Sequence, residues 1–312
     1  MLLLILVSLL WAFSFGLIKG RLAGLDSAFI SAARLLLALL VFLPFLRFKG
    51  LTAGLDGTFV ASARLFLALL VFLPFLRLKG LTRRTALTLA GIGAVQFGVM
   101  YLAYNASFAY LPAYQVALFT ITTPILVTLL ADAVDRTFRP RALLAALLAV
   151  VGVGVVVFQS AAMGGTLRGF LLVQLSNVAF AIGQLAYKRL RARQPTLRDR
   201  DIFALLCAGA FVTALVVMFL QPHFSVTLTG THLLTLLYLG AIASGLGFFL
   251  WNKGATQVNA GTLAVMNNAK VPLAVACSLL FFGESANLPR LLLSLALLSA
   301  AVWLAEKRPS PG

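Results

Sequence analysis

Long apolar runs follow one another about every thirty residues along the 312-residue chain, and short polar connections separate them. Most of these runs approach the roughly 20 residues that an α-helix needs to cross about 30 Å of hydrocarbon. The predicted spans are Leu2–Ile18, Phe29–Leu46, Phe59–Leu76, Leu87–Leu102, Tyr114–Leu130, Leu143–Phe158, Phe170–Ala186, Ile202–Leu220, Leu234–Leu250, Leu263–Phe282 and Leu291–Leu304. The pattern predicts an all-α integral membrane protein.

The second and third of these runs belong to a segment that occurs twice in succession. Ala23–Thr52 and Ala53–Thr82 differ at only 7 of 30 positions, which indicates a tandem duplication. Both copies end in the same basic sequence, so both favour the same orientation, and the 11 residues of Phe48–Thr58 are too few to recross the bilayer as a helix. We therefore expect either that the N-terminus moves outside or that one copy leaves the bundle. Phe59–Leu76 is expected to occupy the native position of the second helix.

Composition and the placement of charge support a membrane protein. The chain is 62% hydrophobic and 11% charged, with a mean hydropathy of +1.03, which is too apolar for a domain in water. The net charge of +17 does not indicate nucleic-acid binding, because the basic residues are distributed unevenly between the two sides of the predicted membrane protein. Every second connection between spans, together with the C-terminus, carries sixteen Lys and Arg residues in total. The connections on the other side carry only Arg168 and Arg290. By the positive-inside rule this predicts a cytoplasmic C-terminus, and we expect a multi-pass protein of a bacterial inner membrane.

The sequence offers no constellation typical of an enzyme. No His, Cys or carboxylate cluster has the spacing of metal ligands, and no glycine-rich phosphate loop is visible, so we expect no cofactor and no metal. All eight acidic residues lie at or beyond the ends of the predicted spans. This distribution disfavours a proton-coupled exporter of organic cations, which would need a carboxylate inside the membrane.

Lys270 is the most informative polar residue, because it lies inside a predicted span beside Asn267, Asn268 and Pro272. A charged residue inside hydrocarbon costs roughly 2.5–3.5 kcal/mol on insertion scales, and a proline frees a backbone carbonyl in the preceding turn. A cation, two amides and freed backbone groups suit a substrate carboxylate. In the alternative interpretation, Lys270 snorkels to the interface or binds the freed carbonyls as a structural residue.

Further uncharged polar residues recur inside the spans. They are Gln174, Asn177 and Gln184 on one helix face, Tyr101 and Asn105 one turn apart, and Thr122 and Thr123 before Pro124. Such residues either line a cavity or form hydrogen bonds between helices, and the sequence leaves both open. Arg34 and its copy Arg64 lie about one turn inside the outer ends of their spans, where the sequence predicts snorkelling.

Several of these stretches resemble motifs of the drug/metabolite transporter superfamily, in its EamA branch. LLWAFSFGLIK (Leu9–Lys19) resembles the first-helix motif, and SARLFLALLV resembles the arginine-containing second helix. Thr122–Val157 resembles the proline-containing helix, the acidic turn and the fifth helix. The pattern recurs in LLYLGAIASGLGFFLWNKGA and in KVPLAVACSLLFFGESANLPRLLLSLALLSAAVWL, so the resemblance covers nearly the whole chain.

The resemblance implies ten helices in two inverted five-helix halves, plus one extra duplicated helix. The halves would be residues 1–159, which contain the copies 23–52 and 53–82, and residues 160–307, followed by a cytoplasmic tail at 308–312. It also implies a secondary transporter, a monomer or homodimer that exports amino acids, carboxylates or related metabolites by alternating access. The alternative is a non-transporting or duplication-inactivated membrane protein of the same fold.

Alignment of Pro124 with Pro272 predicts that the two proline-containing helices face each other around a cavity. The residues expected to line it are Lys270, Asn267, Asn268, Thr122, Thr123, Gln174, Asn177, Tyr101, Asn105 and Trp11. Two features depart from the family pattern. The Gly-Glu turn is present at Gly283–Glu284, but Asp135 is its expected substitute in the first half, and Lys270 lies where a neutral residue is expected.

Overall fold

A computed structural model describes residues 1–19, 57–111, 113–157, 166–220, 236–282 and 287–306, and within these ranges every regular element is a helix. Four predicted features lie outside the described residues: the span Phe29–Leu46 in the first copy of the duplicated segment, the junction between the proposed halves at 159/160, the Gly283–Glu284 turn and the tail 308–312.

The described helices follow the predicted spans in order. They are α1 (Leu2–Lys19), α2 (Gly57–Phe72, extended by a 3₁₀ turn at Leu73–Phe75), α3 (Arg83–Ser107), α4 (Ala113–Thr120), α5 (Thr123–Asp135), α6 (Pro140–Val157), α7 (Leu167–Arg193), α8 (Asp199–Phe219), α9 (236–255), α10 (Ala260–Phe282) and α11 (Leu288–Glu306). Among the described residues, six stretches are long and apolar enough to cross a membrane: Gly57–Phe75, Arg83–Ser107, Leu118–Asp135, Leu167–Arg193, Asp199–Phe219 and Leu288–Glu306. Leu2–Trp11 and Pro140–Val156 are shorter apolar stretches.

Polar residues at the helix ends explain several of these boundaries. The hydroxyls of Thr82 and Thr166 accept hydrogen bonds from the backbone N–H groups of Thr85 and Gly169, which caps the starts of α3 and α7. At the other end of α5, Arg136 adopts a left-handed conformation with φ of 51°, and this conformation ends the helix.

The predicted span Tyr114–Leu130 is interrupted rather than continuous. α4 ends at Thr120, and α5 begins at Thr123, immediately before Pro124. A proline has no N–H to donate to the preceding turn, and its ring crowds the carbonyl four residues earlier, so the helix breaks there. In α10, by contrast, Pro272 lies within a helix that continues from Ala260 to Phe282.

Two helices contain π-helical segments, at Ala94–Val99 within α3 and at Tyr238–Leu246 at the start of α9. Such segments widen the helix and redirect side chains, and they occur often at functional sites. Nothing in the hydrophobic pattern of the sequence predicts them.

The second copy of the duplicated segment forms α2, which packs against α8, α9 and α3. α1 packs against α10 and α9, α7 against α3 and α5, and α6 against α11. Small residues allow the closest approach, between α3 and α8. A Cβ atom built on Gly93 would lie 1.9 Å from the carbonyl oxygen of Leu206, and one built on Gly209 would lie 1.9 Å from that of Ala90.

Candidate substrate site

Lys270 lies ten residues into α10, about 15 Å along the helix from its start and near its middle. Its side chain is partly buried, and Nζ lies 5.5 Å from the centroid of the Trp11 ring, within the range of a cation–π contact. No carboxylate forms an ion pair with Lys270 among the residues that the structure describes. Lys270 and Trp11, both predicted for the site, are therefore in contact, and the Lys270 cation has no ion-pair partner among the described residues.

Trp11 belongs to an aromatic cluster formed by α1, α7 and α9. Its ring stacks on Trp251, with centroids 5.1 Å apart, and meets Phe248 and Phe180 edge-on at 5.7 and 6.5 Å. The indole nitrogen of Trp11 donates a hydrogen bond of 3.1 Å to the carbonyl of Ala243 in the π-helical segment. The cluster fixes the ring that faces Lys270 and provides an apolar, polarisable surface.

Arg64 supplies a second cation inside a helix, about 10 Å from the start of α2. Its Nη2 donates to the hydroxyl of Tyr101 at 2.5 Å and its Nε donates to the hydroxyl of Ser244 at 3.2 Å. The guanidinium also lies 4.4 Å from the centroid of the Tyr101 ring. Both partners are hydroxyl groups, and no carboxylate pairs with Arg64 within the described part of the chain.

The snorkelling predicted for Arg64 is wrong. Its partners, Tyr101 on α3 and Ser244 on α9, draw the guanidinium between helices instead of toward the interface. A single arginine inside a span is compatible with both outcomes, so only the positions of its neighbours could distinguish them. Arg64, Gln184 and Trp251 are not among the residues that the sequence predicts for the cavity, whereas Tyr101, the partner of Arg64, is.

A buried amide network lies beside the aromatic cluster. Gln96 and Asn252 exchange two hydrogen bonds, of 2.7 and 3.2 Å. The indole nitrogen of Trp251 donates to Oε1 of Gln184 at 3.0 Å, and the Asn267 amide donates to the same oxygen at 3.5 Å and to its own helix at 2.8 Å. Nε2 of Gln184 is buried and has no hydrogen-bond partner among the described atoms.

Three other predicted site residues meet at the break between α4 and α5. The hydroxyl of Thr122 donates to Oε1 of Gln174 at 2.9 Å. The side-chain amides of Gln174 and Asn177 donate to the carbonyl of Phe119 at 3.2 and 3.0 Å. The amides of Gln174 and Asn177 thus satisfy the carbonyl of Phe119, near the end of α4 where the helix is interrupted. Backbone polar groups of an interrupted helix need such partners inside a membrane.

The last three predicted residues are bound to backbone carbonyls. Asn268 donates to Ile121 at 2.9 Å, which connects α10 to the break between α4 and α5. Asn105 donates to Gly57 at 2.8 Å, and Thr123 donates to Thr120 at 2.7 Å. These side chains connect elements around the site. Of the side chains described above, Lys270 and Arg64 have no described acidic partner, and Nε2 of Gln184 has no described acceptor.

Comparison with known proteins agrees with a transporter. The sequence pattern of the EamA-like transporter family matches residues 47–158 and 167–305. A protein of Pseudomonas aeruginosa named "Probable biotin transporter" is 40% identical over 96% of both chains. Proteins named "Biotin transporter" from Escherichia coli K12 and Salmonella typhimurium are 35% and 36% identical over 100% of this chain and 94% of their own lengths.

A solved crystal structure superposes with a TM-score of 0.70 over 97% of this chain and 96% of its own, at 18% identity, which shows a shared fold. The resemblance noted in the sequence is confirmed, and the relatives are transporters rather than enzymes. The chain belongs to the EamA-like transporter family.

Proposed function

We propose that this chain is a secondary carrier of a small carboxylate and that biotin, the substrate named for its relatives, is that carboxylate. The observation that carries the proposal is Lys270, a cation near the middle of a membrane helix with an aromatic ring beside it and no acidic partner in the described structure. A bound carboxylate would compensate this charge, and charge-assisted hydrogen bonds to it are among the stronger polar contacts in proteins.

The chemistry of biotin suits the groups around Lys270. Biotin carries a carboxylate on a flexible alkyl chain, an apolar sulfur-containing ring and a cyclic urea. In the proposed complex the carboxylate binds Lys270 and the apolar ring packs on the aromatic cluster around Trp11 and Trp251. The unpaired Nε2 of Gln184, whose Oε1 binds the indole of Trp251, is a candidate donor to the urea carbonyl.

The second cation favours an anion over a zwitterion. The two cations are connected through neighbouring residues of α9. The ring of Trp11 contacts Lys270, and its indole nitrogen donates a hydrogen bond to the carbonyl of Ala243. The next residue, Ser244, accepts a hydrogen bond from Arg64. The ammonium group of an amino acid would be repelled by these two cations, and no described carboxylate forms an ion pair with either of them. We therefore favour a carboxylate without an ammonium group over the amino acids expected from the family resemblance.

The packing of the helices supports transport between two inverted halves. The proposed halves contain corresponding helices in the order α1, α2, α3, α4–α5, α6 and α7, α8, α9, α10, α11. When the halves are exchanged, the contact between α2 and α9 corresponds to the contact between α8 and α3. The contact between α1 and α10 corresponds in the same way to the contact between α7 and α4–α5. The π-helical segments of α3 and α9 also correspond. Five crossings in each half would give the halves opposite orientations, with the site near the midplane between them.

The test is flux of radiolabelled biotin in proteoliposomes, with biotinamide, which lacks the carboxylate, as the competitor. In the wild type, biotin should compete far better than biotinamide. Lys270→Met should raise the half-saturating biotin concentration roughly 10- to 100-fold, since a hydrogen bond to a charged group contributes about 1.5–3 kcal/mol. It should also remove most of the preference for biotin over biotinamide.

Lys253→Met is the matched control, because it removes the same charge at the end of α9 without a described contact to Trp11 or Lys270. Its flux should equal that of the wild type. Absence of biotin flux from reconstituted wild type in both directions would contradict the substrate and favour the non-transporting alternative. Vesicles loaded inside and vesicles loaded outside also test the export direction, which stays a prediction.

A further inference from the structure

A groove opens between α3, α5 and α7 at the basic end of the molecule. Its cavity volume is about 790 Å³. Ile92, Val134 and Ile182 form part of its apolar wall, and Val134 and Ile182 are 61% and 43% exposed. Exposed apolar side chains of this kind are suited to packing against the acyl chain of a lipid.

Arginines from two helices line the same groove at its polar end. Arg84 lies in the first turn of α3, and Arg193 lies at the end of α7; both are exposed, and neither forms an ion pair with a carboxylate among the described residues. Arg189, one turn before Arg193, is instead bound to Asp135 at 2.9 Å. Two unpaired guanidinium groups are thus available above an apolar wall.

We propose that this groove binds one anionic phospholipid, with its phosphate between Arg84 and Arg193 and an acyl chain along Val134 and Ile182. The positive-inside rule accounts for basic residues at this end but not for their position at the head of an apolar groove. Guanidinium groups pair with phosphate oxygens through two parallel hydrogen bonds, and basic pockets between membrane helices are suited to phosphate head groups. The charge and the apolar wall together select a lipid over a soluble anion.

The experiment measures lipid binding to purified protein in detergent by native mass spectrometry, with phosphatidylglycerol and phosphatidylcholine of identical acyl chains. The wild type should bind one phosphatidylglycerol at least tenfold more tightly than phosphatidylcholine. The double variant Arg84→Gln/Arg193→Gln should lose about fivefold in affinity for each arginine removed. The control Arg77→Gln/Arg198→Gln removes two exposed arginines that do not line the groove and should bind as the wild type does.

The wild-type measurements test the proposal even if the double variant fails to fold. Equal affinity for the two lipids would overturn it, and so would an equal loss in the control variant. Deacylated glycerophosphoglycerol separates a lipid from a soluble phosphate. If it displaces the lipid at equal concentration, the acyl chain contributes nothing and the groove is not a lipid site; if it fails to do so, the lipid is the occupant.

Discussion

Gln96 and Asn252 form a closed pair of hydrogen bonds between α3 and α9, and both side chains are fully buried. Asn252→Leu would leave the Gln96 amide without its partner in a region that water does not reach. An unsatisfied buried polar group costs about 1–3 kcal/mol, so the apparent melting temperature should fall clearly. The double variant Gln96→Leu/Asn252→Leu removes both polar groups and should be more stable than Asn252→Leu alone.

The control for this prediction is Gln257→Leu, a change of the exposed amide beyond α9, which should alter stability by less than about 0.5 kcal/mol. Thermal unfolding followed by tryptophan fluorescence measures all four proteins. Equal stability of the single and the double variant would contradict the pairing.

Single residues were predictable from sequence only where position along a span decides the chemistry. The depth of Lys270 in its span already distinguishes it from interfacial lysines. The contact of Lys270 with Trp11, and the turn of Arg64 toward Tyr101 and Ser244, depend on the rotation of helices far apart in sequence. A hydrophobic pattern carries no information about that rotation in a helix that is apolar on all sides.

At the scale of helices, the crossing of α3 and α8 gives a prediction with an internal control. Gly91 and Gly93 lie two residues apart on α3, but a Cβ atom at Gly91 meets nothing within 4 Å, whereas one at Gly93 would lie 1.9 Å from a backbone oxygen of α8. Gly93→Ala must therefore push the helices apart and should lower stability by about 1–3 kcal/mol.

Gly91→Ala should be neutral or stabilising by up to about 1 kcal/mol, because alanine favours the helix more than glycine does. Thermal unfolding of the two variants side by side measures the difference. Similar melting temperatures for the two alanine variants would show that α3 and α8 do not meet at Gly93.

The existence and order of the described helices followed from the sequence because apolar length alone determines a span. Helix ends and interruptions followed less well. α7 continues to Arg193, beyond the predicted Ala186, because charged residues can extend a helix past the hydrocarbon. The π-helical segments arise from packing between helices and have no local signal, whereas the break before Pro124 has one in the proline itself.

At the scale of the whole molecule, the contacts of α1 bear on the conflict created by the duplicated segment. Leu4, near the start of α1, packs in one cluster with Ala255 and Leu263, on either side of the turn between α9 and α10. A Cβ atom at Gly254 would lie 2.8 Å from the Leu4 side chain. The start of α1 therefore lies at the same end of the bundle as the basic residue Lys253, and not at the opposite end.

This arrangement argues against the first resolution of the conflict, in which the N-terminus moves to the outside. α2, formed by the second copy, packs against both α8 and α9 in the described bundle. The positive-inside rule predicts that the basic end faces the cytoplasm, and on that prediction the N-terminus and C-terminus should lie on the same side. The second resolution, in which one copy leaves the bundle, stays a prediction, because residues 20–56 lie outside the described residues.

Cysteine labelling in intact cells tests this topology. In a variant with Cys207 and Cys277 replaced by alanine, Leu2→Cys should be protected from a membrane-impermeant maleimide until the membrane is permeabilised. Leu167→Cys, at the exposed start of α7 and at the opposite end of the bundle, should react in intact cells and serves as the accessible control. Reaction of Leu2→Cys in intact cells would mean that α1 is inverted, and the contact between Trp11 and Lys270 could not then form as described.

Because α1 carries Trp11, the same experiment that locates the N-terminus also tests whether the aromatic side of the proposed substrate site is assembled in the membrane.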